Sequence, residues 1–141
     1  MTVRSAQAVW KGTLKNGAGE LSLESGAYSG PYDYKSRFES GTSTNPEELL
    51  GAAHAGCYVM FLSALLSEEG LNPEHLHAIS KVHLGAGPTI TKLELHLDAK
   101  VSNITEAKFL ELAQTAKEKC PISKALGAVA EMTLEITFTA L

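Results

Sequence analysis

The two cysteines are the residues of this sequence with the most distinctive chemistry. Cys57 lies inside the longest apolar run, and Cys120 directly precedes Pro121. A cysteine thiolate is a nucleophile, and two neighbouring thiols can pass through a sulfenic acid to a disulfide. Free cysteine is also among the most buried residue types, so a small core residue is the alternative for Cys57. Cys120 stands where a second helix can begin, and a helix N-terminus stabilises a thiolate. The pair is therefore a candidate dithiol site.

Arg37 and the neighbouring Glu47 and Glu48 are candidates for tuning such a site. A guanidinium near a thiol favours the thiolate, and a carboxylate can hold the guanidinium in place. The alternatives are an exposed strand residue for Arg37 and a capping role for Glu48, which follows Asn45 by three residues. Because Glu48 is the better capping residue, Glu47 is left free to pair with Arg37.

A metal site is an alternative because His54 and Cys57 share a helix face, with Cys120 available as a third ligand. No Cys-x-x-Cys or HExxH pattern supports it, and the remaining histidines form no recognisable ligand pair with these residues: His75, His77, His83 and His96. We therefore expect no metal, and a buried, hydrogen-bonded His54. The glycine pairs match no phosphate-binding loop, and no Gly-x-Ser-x-Gly supports serine hydrolysis.

A central helix over residues 45–69 must position Cys57. Asn45 is a good cap, Pro46 suits the first helical position, and the stretch from Leu49 to Leu66 is almost wholly apolar. A run of about 18 residues is the lower end of what a membrane span requires. Internal glycines and the absence of a flanking Lys or Arg cluster favour the core helix of a soluble protein, covered on most of its circumference.

The other elements alternate in type along the chain. The first 43 residues predict strands: a hairpin of residues 8–14 and 20–25 around Asn16-Gly17, and a short strand over 32–38 ending at Arg37. The second half predicts strands within 76–101, the last part alternating strictly between apolar and polar residues, and a final strand over 132–139. Between them we expect a helix over 105–119 and a short helix over 121–129. The longer one would be capped by Asn103, with this buried face: Phe109, Leu110, Ala113, Ala116 and Cys120. Grouped strands with few helices predict an α+β fold, with antiparallel sheets around the central helix.

Length and charge restrict the class of protein. A chain of 141 residues suits a single domain. A net charge of −4 with scattered Lys and Arg argues against nucleic acid as a partner. The N-terminus lacks the apolar core of a secretory signal, so we expect a cytoplasmic protein. In a reducing compartment its cysteines would be free, catalytic or metal-bound rather than a permanent disulfide.

These residues carry a resemblance to a known family. The blocks are SRFESGTSTNPEELLGAAHAGCYVMFLSALL at 36–66, AKEKCPISKAL at 116–126 and AVWKG at 8–12. Together they resemble the OsmC branch of the OsmC/Ohr family of thiol peroxidases, in order and over nearly the whole chain. Gly56 and Tyr58 stand beside Cys57 where the family often has Ala and Phe, and Lys35-Ser36 precedes Arg37. Neither departure touches a reactive group.

The resemblance implies an enzyme that reduces organic hydroperoxides in oxidative stress defence. Cys57 would be the peroxidatic thiol, Cys120 the resolving thiol, Arg37 the thiolate stabiliser and Glu47 its partner. It implies no bound cofactor, an external dithiol reductant of the lipoyl kind, and an intertwined homodimer with sites at the interface. A membrane partner is not expected. The apolar neighbours of Cys57 would suit an alkyl tail: Val59, Met60, Phe61 and Leu65.

Two points from the residues bear on that assignment. Local electrostatics favour Cys120 as the more ionised thiol, so attack by Cys57 requires Arg37 to reach it. Ten residues of straight helix would place Glu47 about 15 Å from Cys57. Either the helix start is bent, or Arg37 and Glu47 come from a second copy of the chain, and we predict a dimer. The alternative functions are a non-enzymatic dimeric module for small-molecule binding or redox sensing, and a Cys/His metal protein.

Overall fold

A three-stranded antiparallel sheet forms most of the first of two compact units, residues 1–49, in the computed structural model, which describes residues 1–141. Its strands are β1 (Ala6–Lys11), β2 (Ala18–Leu23) and β3 (Ser29–Tyr32), in that order across the sheet. The predicted hairpin is confirmed. Gly19 lies between the Trp10 and Tyr32 rings, where a Cβ would come within 2.7 Å of both, so no larger residue fits there.

The predicted strand over residues 32–38 is wrong beyond Tyr32. Residues Tyr34–Phe38 form a short helix, α1. Its start is fixed by a reciprocal cap: the Asp33 carboxylate accepts from the Ser36 amide at 2.8 Å, and the Ser36 hydroxyl accepts from the Asp33 amide at 2.9 Å. Arg37 therefore projects from a helical turn rather than from a strand end.

The central helix, α2, runs unbroken over Pro46–Glu68 and confirms the predicted range to within a residue at each end. The Asn45 side chain accepts from the Glu48 amide at 2.8 Å, as expected of the cap. The Glu48 carboxylate accepts from the Thr44 hydroxyl at 3.2 Å. At the other end Gly70 has φ +75°, a left-handed conformation that suits glycine after a helix.

A second three-stranded sheet organises the second unit, residues 50–141. Its strands are β4 (His75–Gly85), β5 (Thr89–Val101) and β6 (Glu131–Ala140), with β5 in the middle. The α+β class is confirmed, and β4 pairs with β5 in antiparallel fashion. The β5–β6 pair is parallel, unlike the antiparallel sheets expected, because the chain between them crosses over through two helices.

The crossover helices are α3 (Glu106–Lys119) and α4 (Pro121–Ala125). The cap of α3 is Thr105, which accepts from the Lys108 amide at 3.2 Å, and not Asn103, which has φ +62°. Leu110 is 40% exposed, so its predicted burial is wrong. Leu112 takes its place on the buried face. The short helix ends at Ala125, four residues before the predicted end.

The core of the second unit lies between α2, α3 and one face of the sheet. Alternate residues of β5 are buried, as their pattern predicts, and pack with residues four apart on α2: Tyr58, Leu62 and Leu66. The opposite face of α2 is apolar but open, with Met60 75% exposed. The prediction that protein covers most of the circumference of α2 is therefore wrong within one chain. By length and composition alone, α2 is the one helix that could span a membrane.

Candidate active site

The fold brings the two cysteine side chains together. Cys57 projects from α2 and is half-buried, whereas Cys120 is fully buried at the junction of α3 and α4. Cys120 ends α3, its amide donating to the Ala116 carbonyl at 3.0 Å, and it caps α4. Both thiols are reduced, and they lie close enough for Cys120 to raise the pKa of Cys57. Two neighbouring thiols can close to a disulfide after oxidation of one of them.

The surroundings of Cys57 favour its neutral form. Burial raises the pKa of the Cys57 thiol, the Ile122 amide lowers it by hydrogen bonding, and the neighbouring Cys120 raises it. The net direction is upward. An abundant Cys57 thiolate at neutral pH would therefore need a nearby positive charge, and Arg37 is the residue predicted to supply it.

Cys120 has a different set of neighbours, centred on Ser123. The Ser123 amide donates to the Cys120 sulfur at 3.3 Å, and the Cys120 thiol donates to the Ser123 hydroxyl oxygen at 3.3 Å. That hydroxyl lies 2.8 Å from Nε2 of His54, which is fully buried. The predicted buried, hydrogen-bonded His54 is thus confirmed through Nε2, while Nδ1 has no partner. No three His, Cys, Asp or Glu side chains are grouped so that they could hold a metal ion.

Sequence reasoning missed Ser123, although the sequence carried a signal for it. Ser123 is three residues after Cys120, the position whose amide points back at a helix cap. Once Cys120 is understood as the cap of α4, a sulfur contact with residue 123 follows.

Arg37 and Glu47 form an ion pair in the first unit. Arg37 Nη2 donates to Glu47 Oε1 at 3.0 Å, and Arg37 Nε lies 3.2 and 3.3 Å from the two carboxylate oxygens. Glu47 is only 9% exposed, whereas Glu48 is exposed and serves the start of α2. The arginine partner is therefore Glu47. Its action on a thiolate stays a prediction.

An aromatic cleft that sequence reasoning did not identify lies beside Arg37. It has a volume of about 280 Å³ and is lined by Arg37 and the following residues: Trp10, Leu14, Tyr32, Asp33, Tyr34 and Phe38. The Arg37 guanidinium also lies 5.3 Å from the centre of the Phe38 ring. Trp10 lies far in the sequence from the other three aromatic residues, so only the folded sheet and α1 reveal the cleft.

The apolar neighbours predicted to receive an alkyl tail differ in exposure. Val59, Phe61 and Leu65 are partly buried against the core. Met60 is open to solvent. The structure leaves the tail-binding role of these residues a prediction.

Comparison with known proteins identifies the family. The family model described as OsmC-like protein matches residues 39–135. The chain belongs to the OsmC family. It is 42% identical over 140 residues to the Escherichia coli protein named Peroxiredoxin OsmC, with 96% of each chain covered. It is 28% identical over 97 residues to the Organic hydroperoxide resistance protein of Xanthomonas axonopodis pv. citri, with 68% of each covered.

Solved structures show the same OsmC fold. An OsmC-like protein from Mycoplasma pneumoniae matches with a TM-score of 0.72 at 14% identity, covering 99% of this chain and 98% of that one. A Legionella pneumophila protein described as an organic hydroperoxide resistance protein OsmC matches with a TM-score of 0.71 at 23% identity, covering 97% and 99%. At such identities the likeness concerns the fold alone.

Proposed function

We propose that this OsmC-family protein is a thiol-dependent peroxidase that reduces organic hydroperoxides to alcohols and serves in oxidative stress defence. The observation that carries the proposal is the proximity of Cys57 and Cys120, both reduced, which is close enough for Cys120 to raise the pKa of Cys57. The names of the relatives, a peroxiredoxin and an organic hydroperoxide resistance protein, support a peroxide-related redox function.

The reaction divides into three steps. The Cys57 thiolate attacks the O–O bond, the alcohol leaves after taking a proton, and Cys57 becomes a sulfenic acid. The Cys120 sulfur then attacks the Cys57 sulfur, the S–O bond breaks, and water leaves as the Cys57–Cys120 disulfide forms. An external dithiol, which we propose to be of the lipoyl type, reopens the disulfide by exchange and is itself oxidised. No bound cofactor takes part.

Cys57 is assigned to the attack on peroxide because of its exposure. It is half-buried, whereas Cys120 is fully buried behind it. A peroxide therefore reaches Cys57 first, and Cys120 is in place to capture the sulfenic acid before a second oxidation traps it.

The positive charge that Cys57 needs would come from the Arg37–Glu47 pair of a second copy in a homodimer. The paired carboxylate orients the guanidinium at 3.0 Å. The open apolar face of α2, including Met60, gives the dimer a surface to bury. The aromatic cleft beside Arg37 would then hold the organic group of the substrate, which favours alkyl and aryl hydroperoxides over hydrogen peroxide.

A peroxidase assay with cumene hydroperoxide and a dithiol tests the proposal on the wild type, Cys57→Ser and Cys120→Ser. Both variants should lose turnover. Cys120→Ser should still consume one equivalent of hydroperoxide, and Cys57→Ser should consume none.

Two outcomes would contradict the proposal in different ways. Stoichiometric consumption by Cys57→Ser would exchange the roles of the cysteines. No consumption by the wild type would favour the non-enzymatic binding or redox-sensing module.

A further inference from the structure

A buried row of hydrogen bonds starts at Cys120. It runs from the Cys120 sulfur to the Ser123 hydroxyl at 3.3 Å and on to His54 Nε2 at 2.8 Å. Cys120 and His54 are fully buried, and Ser123 is almost so. The three steps of the peroxidase reaction leave both Ser123 and His54 without a role.

The direction of these hydrogen bonds follows from the donors present. The Ser123 oxygen accepts the Cys120 thiol hydrogen, so its own hydrogen is free to point at His54 Nε2. Nε2 accepts that hydrogen when it is the unprotonated nitrogen, and the imidazole hydrogen is then on Nδ1, which has no partner. Burial lowers the pKa of His54, so the neutral ring is the resting form. A neutral imidazole with a free lone pair is a base.

Three other polar groups lie near the row, on Ser80, Tyr58 and Cys57. From β4, Ser80 and Val82 pack against α2 at Gly51. Tyr58 donates its hydroxyl to the Ala113 carbonyl at 3.1 Å, and burial raises its pKa well above the ordinary value. Cys57 lies near Cys120, and its own pKa is raised by burial. His54 is the base that hydrogen bonds connect to Cys120, through Ser123.

We propose that Ser123 and His54 form a proton relay that removes the Cys120 proton while the disulfide forms. The relay rests on the proposed function, in which Cys120 is the resolving thiol. Ser123 touches the reacting sulfur, and His54 acts through Ser123 as the base that takes up the proton.

Two proton transfers accompany disulfide formation. The Cys120 proton passes to the Ser123 oxygen, and the Ser123 proton passes to His54 Nε2. The Cys120 sulfur attacks the Cys57 sulfur, the S–O bond breaks, and the leaving hydroxide becomes water with the proton that His54 returns. The Ser123 amide, 3.3 Å from the sulfur, stabilises the transient negative charge.

The size of the effect follows from thiol ionisation. An ordinary cysteine is only about 3% thiolate at pH 7, so losing the base slows the step by ~10- to 30-fold. Without the relay the rate must follow the thiolate population and rise about tenfold per pH unit below the thiol pKa. With the relay the rate stays nearly constant until His54 is protonated.

The test isolates disulfide closure from peroxide chemistry. Cys57, the more accessible thiol, attacks the disulfide of dithiobis(nitrobenzoate) and releases one nitrothiobenzoate. Cys120 then attacks the Cys57 sulfur and displaces the second nitrothiobenzoate, which is followed by its colour. The second phase is recorded between about pH 6 and pH 8 for the wild type, His54→Gln, Ser123→Ala and Ser123→Thr. Cys120→Ser is the control and should release only the first equivalent.

The relay predicts a nearly flat second-phase profile for the wild type and for Ser123→Thr, which keeps a hydroxyl. His54→Gln and Ser123→Ala should be ~10- to 30-fold slower at pH 7, regain speed with rising pH, and leave the first phase unchanged. Variants that keep the wild-type rate and profile, or that slow both phases equally without changing the profile, would overturn the relay. If these pH profiles are observed but the protein does not turn over hydroperoxide, the proposed function is refuted and the relay is not.

Discussion

Replacing Glu47 by Gln tests whether the Arg37–Glu47 pair serves chemistry rather than folding. The variant keeps the shape of the side chain and one oxygen acceptor but removes the charge that holds Arg37 through three contacts of 3.0 to 3.3 Å. Glu48→Gln is the matched control, because Glu48 is adjacent in sequence, exposed, and engaged only at the helix start.

The structure sets the size of both effects. A hydrogen bond to a charged group contributes about 1.5–3 kcal/mol. The Arg37 side chain is 35% exposed, so solvent screening reduces the stability loss for Glu47→Gln to about 1 kcal/mol. That loss lowers the melting temperature by roughly 4 °C in a chain of this size. A misdirected guanidinium should raise the barrier to peroxide attack by about 1.4 kcal/mol, which is about tenfold in rate.

The assay is stopped-flow oxidation of the reduced protein by cumene hydroperoxide, with thermal unfolding measured on the same samples. Glu47→Gln should be about tenfold slower, while Glu48→Gln should stay within about twofold of the wild type and lose ~0.5 kcal/mol of stability. Slower oxidation in Glu48→Gln than in Glu47→Gln would refute the reasoning. Oxidation of both variants at the wild-type rate would show that the ion pair takes no part in peroxide attack.

Three further changes test the packing and the assembly. Tyr58→Phe removes the hydroxyl that donates to an α3 carbonyl at 3.1 Å, and urea unfolding should show a loss of about 1–2 kcal/mol, whereas Tyr28→Phe at the surface should change nothing. Met60→Asp should give a monomer by light scattering while the wild type and Ile79→Asp remain dimers, and a monomeric wild type would contradict the dimer. Because the pKa of His54 is lowered on folding, the unfolded chain binds the extra proton. Melting temperature should therefore fall as pH drops below about 6.5, and His54→Gln should flatten that slope.

The elements with long, regular patterns were predictable from the sequence. The range of α2 follows from its cap and its apolar run, and β5 follows from strict alternation. The strand expected at Tyr34–Phe38 failed because two side chains, Asp33 and Ser36, close a local cap that a strand pattern does not register. Propensity and periodicity predict the length of a helix or strand and which of its faces is buried. Short helices depend on single contacts, which these patterns do not show.

The site was predictable only in part. The sequence indicated a candidate dithiol site. The proximity of Cys57 and Cys120, however, depends on where the crossover through α3 and α4 returns to α2. The sequence also did not reveal that one face of α2 stays open within a single chain, since an apolar run does not say which chain covers it. The aromatic cleft beside Arg37 likewise required the tertiary structure.

Mass spectrometry of the reduced protein after one equivalent of cumene hydroperoxide tests the central claim most directly. The account predicts a chain lighter by two hydrogen atoms, with a single peptide cross-link joining Cys57 to Cys120, and a stable mono-oxygenated Cys57 in Cys120→Ser. Recovery of the wild type with both thiols unmodified, or oxidised without the cross-link, would contradict it.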